Sequence, residues 1–150
     1  MKKILCMILA GVMALSLVGC SKITGKETVV LTFEPKGAVM EYKLVANEDL
    51  VEQIVQTTTL DCSGETDETL IEVRKILSEY AMIYEKIDGV DYDYEETDTE
   101  IIETITIDTT NPETVQSLID QGLLPVDGST TLISLEQTVA NLEAEGWTKK

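Results

Sequence analysis

The sequence predicts an α+β fold: a single antiparallel sheet of about five strands, one long helix packed on it, and two short C-terminal helices. Three observations predict it. Apolar residues alternate with polar ones at period two from residue 27 to 60, and again from 90 to 108. Between these stretches the apolar residues recur at the helical period. Short turn sequences join successive strands, which requires antiparallel pairing, and strands that come in runs mark α+β rather than α/β.

The first strand is "ETVVLTFE", with Val29, Leu31 and Phe33 on one face and Thr28, Thr32 and Glu34 on the other. Pro35-Lys36-Gly37 turns the chain. Met40, Tyr42 and Leu44 repeat the pattern in a second strand, and Asn47-Glu48-Asp49 forms the next turn. A third strand, rich in Val, Ile and Thr, runs from about Leu50 to Leu60. After a cap at Thr66 or Asp67, the residues Leu70, Val73, Leu77, Tyr80, Ala81, Tyr84 and Ile87 make one helical stripe, ended by Asp88-Gly89.

Two further strands follow. In the fourth, Val90, Tyr92 and Tyr94 face one way, and Asp91, Asp93 and Glu95 the other. In the fifth, Ile101, Ile105 and Ile107 alternate with Ile102, Thr104 and Thr106. Asn111-Pro112-Glu113 starts a short helix with Val115, Leu118 and Ile119 on its apolar side, and Gly122 stops it. "LLPVDGSTTL" reads as a loop or a short extended piece. Ser134 to Gln137 is a capping box for a last helix lined by Leu135, Val139 and Leu142. Trp147, after Gly146, is placed to fold back on that helix or to extend an edge strand. The expected core contains Leu31, Phe33, Tyr42, Leu77, Tyr80, Tyr84 and Ile105.

The N-terminus has a different character. Lys2 and Lys3 precede an uncharged stretch, Ile4 to Gly19, which is shorter than the ~20 residues a membrane-spanning helix needs. A positive head and a short apolar core make a secretory signal peptide. Its end, Leu17-Val18-Gly19-Cys20, resembles the lipobox of bacterial lipoproteins. A thiol there carries a diacylglycerol as a thioether, and the small Gly19 lets a peptidase reach the bond before Cys20. Each buried methylene of such a lipid contributes ~0.8 kcal/mol, so two or three chains hold a protein on a membrane. The expected organisation is a signal peptide over 1–19, a lipidated N-terminus and tether over 20–26, and one domain over 27–150.

Composition narrows the function. The formal net charge is −17, and cleavage of Lys2 and Lys3 makes it more negative. A nucleic-acid partner is disfavoured, because no basic patch is available to neutralise phosphates. The chain has no histidine, which excludes a Ser-His-Asp triad, a Cys-His dyad and the usual zinc sites. Of the three cysteines, Cys6 leaves with the signal peptide and Cys20 carries the lipid. Cys62 then stands alone, without a partner for an internal disulfide.

"QTTTL", then "YEKIDGVDYDYEETDTEIIETITID", then "ISLEQTVANLEAEGWTKK", behind a lipobox, resemble the YehR-like small bacterial lipoproteins. The resemblance spans nearly the whole domain. It implies a small α+β domain on a lipid anchor and brings no assigned catalytic or ligand residue.

Asp91, Asp93 and Glu95 are the densest candidates for a hard cation, since such ions take carboxylate oxygens. The EF-hand spacing fails, because the sixth position from Asp91 is Glu96 and not glycine. A solvated strand face accounts for these acids better. Tyr80, Tyr84, Tyr92 and Tyr94 fit helix–sheet packing better than a ligand groove. The expected function is that of a membrane-anchored, extracytoplasmic module, without catalysis or cofactor. Its partners are the membrane, through the lipid on Cys20, and an envelope protein or small ligand. The alternative is a small envelope hydrolase using a carboxylate pair. Replacing Cys20 by Ala is expected to block lipid attachment and leave unprocessed precursor. Labelled fatty acid fed to cells should enter the wild type and not the variant.

Overall fold

Strands β1 (Lys26–Phe33), β2 (Ala38–Asn47) and β3 (Leu50–Asp61) form an antiparallel meander. Helix α1 (Asp67–Tyr84) follows, then the hairpin of β4 (Val90–Glu96) and β5 (Glu100–Asp108). Helices α2 (Pro112–Asp120) and α3 (Leu135–Ala144) lead to a two-residue strand, β6 (Thr148–Lys149). The computed structural model describes residues 25–124 and 131–150. Gly19, Cys20, the signal peptide, most of the tether and the middle of the 123–132 loop lie outside them.

The sheet has six strands, in the order β4-β5-β3-β2-β1-β6, and not about five. The extra strand is the tail beyond Trp147, and the physical reason is the indole. Trp147 stacks on Tyr42 at 4.6 Å between ring centroids and lies 5.5 Å from Phe33. Burying that large ring beside β1 brings Thr148 opposite Thr32 and Lys149 opposite Leu31. The Trp147 amide also donates to the Leu142 carbonyl, so the residue both folds back on α3 and starts an edge strand.

The alternation in the sequence becomes two faces. One row across the sheet reads Tyr42, Gln56, Ile105, Tyr92, and the next reads Leu44, Ile54, Ile107, Val90. These residues pack with Val115 and Leu118 of α2 and with Leu135, Val139 and Leu142 of α3. Val73 and Leu77 of α1 pack with Ile101 and the half-buried Leu60, Cys62 and Tyr94. All three helices therefore cover the same face. Helix α1 ends at Tyr84, a turn before Ile87, because the chain turns through 85–89 to enter β4; Ile87 is buried all the same. Phe33 and Tyr80, expected in the core, are half-buried at its margin.

The β2–β3 turn is strained. Glu48 (φ 51°) and Asp49 (φ 72°) both occupy the left-handed region, as a two-residue hairpin turn of this twist requires. Glycine or asparagine usually fills such positions. Here Asp49, 2 % exposed, makes contacts that glycine could not. Its Oδ2 accepts from the Ser134 hydroxyl at 2.8 Å, and its Oδ1 from the Glu136 amide at 2.7 Å. Its carbonyl accepts from the Leu135 amide, and the Ile133 carbonyl accepts from the Val51 amide. Ser134 still caps α3 by accepting from the Gln137 amide. One hairpin turn thus fixes the start of α3 through orphan amides at a helix N-terminus.

Two substitutions test this packing by chemical denaturation. Leu77→Ala should cost about 2–5 kcal/mol, as removal of a fully buried leucine does. Glu48 is exposed and contributes no such contact, so Glu48→Gly should stabilise by about 1 kcal/mol, by relieving left-handed strain.

Candidate functional site

The acids singled out in the sequence sit on β4, at one edge of the sheet. Asp91, Asp93 and Glu95 are exposed and lie opposite Thr106, Thr104 and Ile102 of β5, on the face away from the helices. Their intervening neighbours Tyr92 and Tyr94 turn inward. Side chains two residues apart on a strand stand ~6.5–7 Å from each other, too far for three to share one ion. Among the described residues, no group of three or more histidines, cysteines, aspartates or glutamates is arranged to hold a metal. Cys62 is half-buried, and burial raises its thiol pKa, which keeps it protonated and a poor nucleophile.

The face away from the helices is built from short β-branched residues. Thr57 and Thr59 of β3 lie beside Thr104 and Ile102 of β5, and Val55 lies beside Thr106. Glu41, Lys43 and the exposed Val39 continue the surface on β2. None of the three helices lies over it. Thr57, Thr59, Thr104 and Thr106 give it hydroxyls and methyls, and formal charges flank them: acids on β4, and Lys43 and Glu41 on β2, the latter paired with Lys150.

The covered face holds a second polar group that sequence reasoning missed. Glu103 lies between Ile101 and Ile105 on β5, so alternation turns it inward, where it is 6 % exposed. The Tyr92 hydroxyl lies 2.8 Å from Glu103 Oε1 and 3.2 Å from the Leu77 carbonyl of α1. Tyr92 stacks on Tyr84 at 5.4 Å, and Tyr84 on Tyr80 at 6.1 Å. On β3, Thr58 is the register partner of Glu103, and its buried hydroxyl makes no hydrogen bond to the described residues. One row over, Tyr42 donates to Gln56 Oε1 at 3.0 Å. Burial raises the Glu103 pKa, against a smaller lowering by the Tyr92 hydrogen bond. Burial and the neighbouring Glu103 raise the phenol pKa values of Tyr80 and Tyr84. Tyr92 is raised by the same two causes and by its bond to Glu103. The signal was present in the sequence: a strand with Ile at 101, 105 and 107 must point residue 103 the same way.

Comparison with known proteins places this arrangement. The structure is similar to the solution structure of Escherichia coli YehR, with a TM-score of 0.63 and 21 % identity over 84 % of this chain and 91 % of that one. It is also similar to a Streptococcus pneumoniae TIGR4 protein, with a TM-score of 0.60 and 12 % identity over 91 % of this chain and 92 % of that one. At such identities the likeness is one of fold. No curated protein matches the chain. A family model described as "Protein of unknown function (DUF1307)" matches residues 27–148. The chain belongs to that family, and the resemblance to YehR-like proteins carried by its strands and last helix holds.

Proposed function

We propose that this protein is a lipid-anchored module of the bacterial cell envelope that acts by binding, through the uncovered face of its sheet. The observation that carries the reading is the one-sided cover. A broad sheet presents Thr57, Thr59, Thr104, Thr106, Val55 and Ile102 on the face that no described helix protects. Short hydroxyl and methyl side chains give a level surface with little conformational entropy to lose on contact. The lipid on Cys20 would hold this surface near the membrane. Among the described residues no helix is long and apolar enough to cross a membrane. A hydrolase would need two carboxylates converging on one pocket. The groups gathered around the buried Glu103 are tyrosines, which favours binding over hydrolysis.

A photocrosslinking residue placed at Thr57 should capture an envelope partner in cells, and the same residue at Glu72, exposed on α1, should not. With the photocrosslinking residue kept at Thr57, Thr59→Arg combined with Thr104→Arg should abolish that capture and leave the circular dichroism unchanged. Capture from Glu72 alone would move the function to the helical side.

A further inference from the structure

We propose that Glu103 is a proton-operated latch between the sheet and helix α1. Protonated, it donates to Tyr92 Oη and leaves the Tyr92 hydrogen to hold the Leu77 carbonyl; ionised, it takes that hydrogen and releases the helix.

The geometry poses the problem. A phenol has one hydrogen, yet two acceptors lie within reach of Tyr92 Oη, at 2.8 Å and 3.2 Å. If Glu103 is ionised, the hydrogen goes to the carboxylate, and Tyr92 faces the Leu77 carbonyl with a lone pair. If Glu103 is protonated, the chain Glu103 Oε1–H to Tyr92 Oη–H to Leu77 carbonyl uses each hydrogen once. The contact spans the layers, from β5 through β4 into the middle of α1. Leu77 is also a core residue of that helix, 3 % exposed.

The surroundings suit the neutral form. A buried carboxylate needs two or three donors or a cation. Tyr92 is the donor to Glu103 among the described hydrogen bonds, and none of the described ion pairs includes it. Among the described residues, the titratable groups facing it are phenols: Tyr92 and Tyr94 from β4, Tyr80 and Tyr84 from α1, and Tyr42 from β2. Glu145, after α3, acts on Tyr42 and not on Glu103. From β3 the facing residue is Thr58, the register partner of Glu103, whose buried hydroxyl is used by no described residue. A site built for a charge would have recruited that hydroxyl.

The sign of the linkage follows. A carboxyl raised in the folded state gives stability that is fully present below its ordinary pKa of about 4.3 and is lost as pH rises through the folded value. The latch therefore opens on the alkaline side. Opening of α1 releases one proton, so its equilibrium constant should rise about tenfold per pH unit between those two values and then level off.

Two measurements on the full chain decide the matter. Amide exchange of residues 73–81, corrected for intrinsic rates, should lose protection at that slope in the wild type. Glu103→Gln, whose amide can donate to Tyr92 at any pH, should hold its protection flat. The carboxyl carbon-13 resonance of Glu103 should titrate above the ordinary value. A midpoint at or below about 4.3 overturns the latch even if the glutamine variant does not fold. Equal pH dependence of α1 protection in wild type and Glu103→Gln overturns it as well.

Discussion

Three helices of 18, 9 and 10 residues cover one face of a six-stranded sheet, and no described helix covers the other. That imbalance constrains everything else. Strand alternation forces half of the side chains away from the helices, so those positions must tolerate water. Threonine, with Val55 and Ile102, satisfies this on β3 and β5, valine with Glu41 and Lys43 does so on β2, and acids do so on β4. Acidic residues on an edge strand also repel a second copy of the same edge, which guards against sheet-to-sheet pairing. The far edge is closed differently. There β6 is only two residues long, and the burial of Trp147 in the core supports its short ladder to β1.

The covered face is stitched by polar contacts as well as by burial. Asp49 accepts from Ser134 and Glu136, so the β2–β3 turn and the start of α3 cannot separate without exposing a buried carboxylate and a helix N-terminus. The left-handed backbone at Glu48 and Asp49 persists because these contacts over-determine it. At the other end of the sheet, Tyr92 ties β4 and β5 to α1. The two stitches differ in kind. The Asp49 carboxyl is met by two donors, the Ser134 hydroxyl and the Glu136 amide, whereas Glu103 is met by one described donor, the Tyr92 hydroxyl, which is shared with the Leu77 carbonyl.

Much of this was legible in the sequence. Period two located the strands and their faces, and the caps at Thr66 or Asp67, Asn111 and Ser134 located the helix starts, the first of them proving to be Thr66. These features are local. What was not legible depended on pairing at a distance. Asn47 to Asp49 read as a turn and Ser134 as a cap, but 85 residues separate Asp49 from Ser134, and no local pattern joins them. The tail strand was open between two readings because two residues carry no period; with Trp147 buried, both hold together. Glu103 was passed over because a charged residue in an isoleucine-rich strand is naturally assigned to water. The alternation through Ile101 and Ile105 places it inside.

The most direct test of the one-sided sheet is nuclear magnetic resonance with a soluble paramagnetic probe. Val39, Val55 and Ile102 should be strongly attenuated, while Leu44, Ile54 and Ile105 on the helix side remain untouched. Equal protection of both sets would mean that something covers the second face, and would contradict the account.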